Sequence, residues 1–180
     1  MDRLLPEMVR STPTTGGRGR RSPALAAALS ATAALVLRPL VTRAALLKLR
    51  RDVRALNEGD YGPVLCNYAQ DAVLRFNDGE HRWAGEHRGK HAIEEFLRQF
   101  VAAGLRGRIT ELFVCGPPWR MTLLARYDDE AHDPAGAQLY SNRTVLLARL
   151  RWGRIVLHED FYEDTRRIEA FDARLRELGR

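Results

Sequence analysis

Two runs of β-forming residues either side of Arg151-Trp152-Gly153 constrain this 180-residue chain more than any other stretch. Between Leu139 and Thr165 they read as a long hairpin, with Gly153 supplying the left-handed residue of a three-residue loop. That loop sets Leu150 opposite Arg154, Ala148 opposite Val156, Leu146 opposite His158, Thr144 opposite Asp160 and Asn142 opposite Tyr162. Period-2 alternation places these partners on one face of the ribbon. The other face carries Arg143, Val145, Leu147, Arg149, Ile155, Leu157, Glu159 and Phe161. One face thus mixes small or apolar groups with His158, Asp160 and Tyr162, while the other is apolar with charged edges. Such a sheet buries one face around a polar pocket and the other against helices or a partner.

Charge is unevenly distributed. Residues 1–56 hold 11 Arg or Lys against 3 Asp or Glu, whereas residues 57–180 hold 18 against 20. The folded part therefore lacks the clustered cations interleaved with aromatics that a nucleic-acid groove requires, so no nucleic-acid partner is expected. Residues 1–22 are polar and aperiodic and read as disordered. Pro23–Leu37 is an uncharged, Ala-rich run of about 22 Å as a helix, against about 30 Å of membrane hydrocarbon. Arg38 and Pro39 interrupt it. Three readings stay open for it: a signal-peptide core, a short membrane anchor, or an Ala-rich extension lying on the domain. Any membrane contact is confined to residues 23–37. A cytoplasmic location is expected, with export or anchoring as the alternative. The division is thus an N-terminal extension over 1–38 and a folded domain over 39–180.

Val41–Leu56 is an amphipathic helix with Leu46, Leu49, Val53 and Leu56 on one stripe. Asn57-Glu58-Gly59 ends it, and a second helix runs from Asp60 and Pro63 to Tyr68. Ala72–Asn77 and His81–Ala84 form a strand and a short partner. Lys90–Ala103 is a helix with Ile93, Phe96, Leu97 and Phe100 inward. Arg108–Cys115 and Trp119–Tyr127 are strands, Asp128–Gln138 is an acidic solvated loop, and Asp164 or Thr165 caps a last helix. Helices come first and strands late, which indicates an α+β fold. Cys66 and Cys115 have no metal-ligand spacing and read as buried thiols, a disulfide being the alternative in an exported protein.

Four short motifs occur in order: Leu56-Asn57-Glu58-Gly59-Asp60-Tyr61, Gln70-Asp71-Ala72-Val73, Gly85 with Arg88-Gly89-Lys90-His91-Ala92-Ile93, and Gly153-Arg154-Ile155-Val156 leading to Asp160-Phe161-Tyr162-Glu163-Asp164. Through them, residues 42–168 resemble the nuclear transport factor 2-like superfamily, in its SnoaL-like (polyketide cyclase-like) branch. The resemblance implies a cone-shaped, curved antiparallel sheet wrapped around N-terminal helices, in a homodimer. In ketosteroid isomerases of this superfamily, a Tyr on the first helix and an Asp on the first strand act; Asp52 and Phe76 stand there in this chain. Limonene epoxide hydrolases use an Arg-x-Asp pair on a middle strand with an Asp on the last strand. Asp160 matches that last Asp, but Trp119–Tyr127 holds no such pair. In SnoaL-like cyclases an Asp near the pocket mouth is the acid/base, a role open to Asp160 or His158.

The candidate site is therefore Asp160 with His158 as an acid/base pair. Tyr162, Asn142 and Tyr140 would orient a small hydrophobic ligand over an apolar floor of Trp83 and Phe76. His81, His87 and His91 lie in a turn and a helix start without an accompanying carboxylate, so no metal is expected. No motif calls for a cofactor. Gly85–Lys90 lacks both phosphate-loop spacings and reads as helix capping. Two functions follow. One is a cofactor-independent isomerase, cyclase or hydratase-like enzyme. The other is a non-catalytic ligand-binding or dimerisation module pairing through Val145, Leu147, Leu157 and Phe161.

Overall fold

The computed structural model describes residues 23–117 and 119–180, with side chains from Pro39 onward except at position 118. The disorder expected over residues 1–22 lies outside the described residues. The elements are α1 (Pro23–Asn57), α2 (Gly62–Leu65), β1 (Tyr68–Phe76), β2 (Gly85–Arg88), α3 (Gly89–Ala102), β3 (Arg106–Cys115), β4 (Arg120–His132), β5 (Gln138–Arg151), β6 (Arg154–Tyr162) and α4 (Thr165–Glu177). Among the described residues, no helix is long and apolar enough to cross a membrane. Helix α1 contains Pro39, where an interruption was expected. A proline removes one backbone donor at a cost of about 3 kcal/mol or more, but it does not oblige the chain to leave the helix. Pro39–Arg180 forms one compact unit and is described by itself below.

The fold is α+β: helices and a curved, unclosed six-stranded sheet in the order β2-β1-β6-β5-β4-β3. Every neighbouring pair is antiparallel except β1 with β6. The last strand thus returns to lie beside the first. One buried cluster unites β1, α3 and α4. Ala72, Leu74 and Phe76 of β1 point inward at alternate positions, against Ile93, Phe96 and Leu97 of α3 and Ile168, Phe171 and Leu175 of α4. Asp164 caps α4 by accepting the Arg166 backbone N–H at 3.0 Å, which satisfies one of the free donors of the first turn. A second cluster, Val53, Ile109, Ala125 and Tyr127, seats α1 on the inner side of β3 and β4.

Three boundaries and the exposure of the cysteines differ from the sequence reading. Tyr68 opens β1 instead of closing α2, which is only four residues long. The partner of β1 is Gly85–Arg88, because Trp83 is wholly buried in the core instead of lying on a strand. Asp128–His132 continue β4, so the connection to β5 shrinks to residues 133–137. Cys66 and Cys115 are exposed free thiols, one at the end of α2 and the other beside the Gly116 turn.

The hairpin is present, but its register is displaced by two residues. Thr144 faces Tyr162, Leu146 faces Asp160 and Ala148 faces His158. Between Thr144 and Ala148 this two-residue slip keeps each side chain on its face, whereas a slip of one would have inverted them. The loop is Trp152-Gly153, between the pair Arg151 and Arg154, with both φ angles positive at 50° and 76°. That is the primed geometry two-residue hairpins favour. A bulge then leaves Val156 without a partner and turns Ile155 inward, against its expected outward place.

Trp152 is 82% exposed and holds a left-handed conformation that costs an L-residue roughly 1 kcal/mol or more. Trp152→Asn should therefore stabilise the protein by about 0.5–1 kcal/mol in urea unfolding, because Asn tolerates that conformation. A loss of stability would show that the indole contributes packing.

Candidate functional site

The inner face of the sheet and the facing helices enclose a cavity of about 130 Å³. Leu49, Val53 and Leu56 of α1, Phe96 and Phe100 of α3, and Leu123, Ala125, Leu146 and Ile155 of the sheet make its wall apolar. Three carboxylates open into this apolar space: Asp52 from α1, Asp129 from β4 and Asp160 from β6. No Lys or Arg is part of the wall.

Of the expected residues, His158, Asp160 and Tyr162 line the cavity. Alternation on β6 carries all three to one face of the sheet. His158 Nε2 lies 3.0 Å from Asp160 Oδ1, and His158 Nδ1 meets the Tyr68 hydroxyl. With Asp160 ionised, Nε2–H donates to the carboxylate and Nδ1 accepts from the tyrosine. Burial, the Asp160 charge and neighbouring Tyr127 push the Tyr68 hydroxyl well above its ordinary pKa, so it remains a proton donor. The three side chains form a continuous hydrogen-bonded array.

The other four expected residues lie outside the wall. Phe76 sits behind it, its ring centroid 4.9 Å from that of Tyr162. Trp83 is stacked on Phe171 at 6.1 Å, deep in the core with no access to the cavity. Tyr140 packs on the opposite part of Phe171's surroundings at 4.9 Å. Asn142 is buried and occupied with structure: its amide donates to the Asp164 carbonyl at 2.7 Å, and its oxygen accepts the Arg143 N–H at 2.9 Å. It ties the first half of β5 to the residue that caps α4.

Asp129 was expected in a solvated loop, and it is instead 6% exposed on β4. It accepts a hydrogen bond from the Thr144 hydroxyl of β5. Leu123, Ala125, Tyr127, Asp129 and Ala131 are all buried, so the alternation of β4 runs on through the acidic stretch. That continuing alternation was the available signal; the local density of charge concealed it. Burial raises the Asp129 pKa to about 7, assisted by the Asp160 charge and opposed by the Thr144 and Tyr162 hydroxyls. Burial likewise raises the Tyr127 and Tyr162 hydroxyls above their ordinary values. Asp52 lies at the other end, accepting from Lys48 Nζ at 2.5 Å and from Asn67 Nδ2 at 2.7 Å.

The full length of β4 also contains Arg126-Tyr127-Asp128, an Arg-x-Asp sequence that a strand ending at Tyr127 would exclude. Arg126 bonds Glu111 at 3.1 Å and Asp128 bonds Arg108 at 2.5 Å. Both point to the outer face, and Tyr127 between them enters the cavity. Among the described residues, no group of three or more His, Cys, Asp or Glu could hold a metal ion.

The raised pKa of Asp129 has a consequence for stability. A carboxyl whose folded pKa lies above its unfolded value stabilises the fold fully below about pH 4, and that contribution is lost as pH rises through about 7. Asp129→Asn should flatten the fall in melting temperature between pH 4 and pH 8 and raise the melting temperature at pH 8. Calorimetry showing parallel pH profiles for the two proteins would contradict this.

Residues 49–158 match the model of the SnoaL-like domain. No curated protein matches the sequence. Among solved structures, Bal32a from a soil-derived mobile gene cassette has a TM-score of 0.55 at 18% identity, covering 73% of this chain and 96% of its own. TerC, co-crystallised with polyporic acid, has a TM-score of 0.58 at 17% identity, covering 70% and 96%. An NTF2-like protein of unknown function from Burkholderia pseudomallei K96243 has a TM-score of 0.57 at 22% identity, covering 70% and 95%. At such identities these likenesses concern the fold. The family match spans well over half of the chain, from the last turns of α1 to His158, and on it this chain belongs to the SnoaL-like domain family.

Proposed function

We propose that this chain is a small-molecule pocket protein that carries out cofactor-independent acid/base chemistry, of isomerase, cyclase or hydratase type, on a hydrophobic ligand. The observation that carries this reading is the array Tyr68–His158–Asp160 opening into an apolar cavity. Asp160 is the base: it takes a proton from the ligand, and His158 holds the carboxylate in place through Nε2–H. The proton is then returned to a second atom of the ligand, so nothing is oxidised and no cofactor is consumed. Asp129, with its pKa near neutrality, suits either half of such an exchange at physiological pH. Tyr162 borders the same space and would position the ligand; Asn142, Tyr140, Trp83 and Phe76 support the wall from behind.

A thermal-shift screen of the full chain against apolar, polycyclic and terpenoid compounds finds the ligand, because binding to the native state alone raises the melting point. Turnover is then read as incorporation of deuterium from D2O into the bound compound. Asp160→Asn should keep the thermal shift and lose about 10²–10⁴-fold in exchange rate. Unchanged exchange would leave the protein as a ligand-binding module without catalysis.

The outer sheet face supports a homodimer as the assembly in which this pocket operates. Phe113, Leu124 and Leu147 lie on adjacent register positions across β3, β4 and β5, with the paired Val145 and Phe161 beside them. Phe113, Val145 and Phe161 are 58%, 42% and 56% exposed. Such a contiguous apolar face favours burial against a second copy. Phe161→Glu should yield a monomer by light scattering with the melting of the pocket's ligand complex retained. A wild-type protein that is already monomeric would remove the dimer.

A further inference from the structure

The cavity wall carries charge of one sign. Asp52, Asp129 and Asp160 face the space, and no Lys or Arg does. These three carboxylates are not equivalent. Asp52 has its own cation, Lys48, at 2.5 Å, and the Lys48 side chain is 59% exposed, outside the wall. Asp160 has His158 at 3.0 Å. Asp129 has a hydroxyl, Thr144, and no cationic partner among the described residues.

The groups around Asp129 deepen the asymmetry. From β4 itself come Tyr127 and the outward-facing Asp128, from β5 Thr144, and from β6 Asp160 and Tyr162; α1 contributes Asp52 with its Lys48, and β3 brings Gly107 close. The carboxylates that share this lining with Asp129 are Asp52 and Asp160, and Lys48 reaches Asp52 from outside the wall. Beside Asp129, the Tyr127 side chain is buried in the same wall, and burial with the neighbouring carboxylates keeps its hydroxyl protonated.

We propose that the ligand of this cavity is a protonated amine carried on a small apolar body, its ammonium paired with Asp129 and bonded to the Tyr127 hydroxyl. The inference rests on the reading of this cavity as a ligand site. An ammonium offers three donors and no acceptor, which matches a carboxylate with a spare lone-pair site and a tyrosine oxygen. A carboxylate-bearing or phosphorylated ligand would enter against three like charges in a low-dielectric space. The cavity of about 130 Å³ approaches the engineered apolar cavities of about 150 Å³ that accept benzene, so the apolar body is near one aromatic ring. The elevated pKa of Asp129 accords with this, because an arriving cation recovers the cost of ionising it. Asp160 and His158 remain free for the chemistry.

Three one-ring probes that differ mainly in charge test the proposal on the full chain by titration calorimetry and thermal shift: benzylamine, benzyl alcohol and benzoate. Benzylamine should bind at least tenfold more tightly than benzyl alcohol at pH 8, and benzoate should not raise the melting temperature. The amine should release close to one proton from the protein on binding at pH 6, about half a proton at pH 7 and nearly none at pH 8.5, measured in buffers of different ionisation heat. Asp129→Asn should lose the preference for the amine by tenfold or more while still binding benzyl alcohol, and Tyr127→Phe should weaken the amine several-fold. Equal affinity for amine and alcohol, tighter binding of benzoate, or an amine preference that persists in Asp129→Asn would each overturn the amine assignment while leaving the pocket intact. Failure of all three probes, together with no hit in the wider screen, would overturn the pocket reading itself.

Discussion

Parallel pairing of β1 with β6 is the constraint on which both the core and the cavity depend. In the register of this pair Tyr68 lies beside Ile155 and Leu74 beside His158, with three more residues of β1 than of β6 between the paired positions Tyr68–Ile155 and Val73–Leu157. That irregularity brings the Tyr68 hydroxyl onto His158 Nδ1 from a strand 90 residues earlier in the chain. The Asn67 carbonyl accepts the Ile155 N–H at 2.8 Å and pins the same corner. Without it, β1 would lose its strand neighbour in the meander, and His158 would face the cavity with one nitrogen unpaired. A parallel neighbour needs a long crossover, and almost the whole domain, from β2 to β5, serves as that crossover.

The interior divides its work by polarity. Around β1, α3 and α4 the packing is apolar and dense, and its buried carboxylate, Asp172, is fully paired: it accepts from Arg82 Nε at 2.5 Å and from Arg176 at 2.5 Å. That arrangement repays desolvation with hydrogen bonds and fixes α4 against the turn before β2. On β4, Asp129 is also buried, with hydroxyls and no cation as its partners among the described residues. The same residue type is thus stabilising in one place and costly in the other. Under the proposed function, that cost is the one a bound ligand would offset.

Membership in the SnoaL-like domain family places the scaffold, while the residues inside it are this chain's own. Where the related isomerases carry a tyrosine on the first helix, Asp52 is bound to Lys48 and Asn67. Where they carry an aspartate on the first strand, Phe76 packs behind Tyr162. The Arg-x-Asp sequence of β4 is present but turned outward. Fold and chemistry separate here because alternation decides which side chains meet the cavity, and a one-position offset sends a motif to the opposite face.

Alternating apolar residues made the long hairpin, the α3 and α4 stripes and the α+β order legible in the sequence, because burial of one face imposes a period on a single element. The inward direction of His158, Asp160 and Tyr162 was legible for the same reason, and it survived an incorrect register because the error was an even number of residues. Tyr68, Asp129, the displacement of Trp83 into the core and the exposure of both cysteines were not. The first three are decided by contact between elements distant in the chain: β6 claims Tyr68, Thr144 bonds Asp129 where its charge suggests a loop, and Phe171 receives Trp83. The sequence by itself determined which residues alternate and therefore which faces exist. Only the tertiary structure decided which faces close on one another, because desolvation and pairing energies of polar groups depend on neighbours that no local pattern specifies.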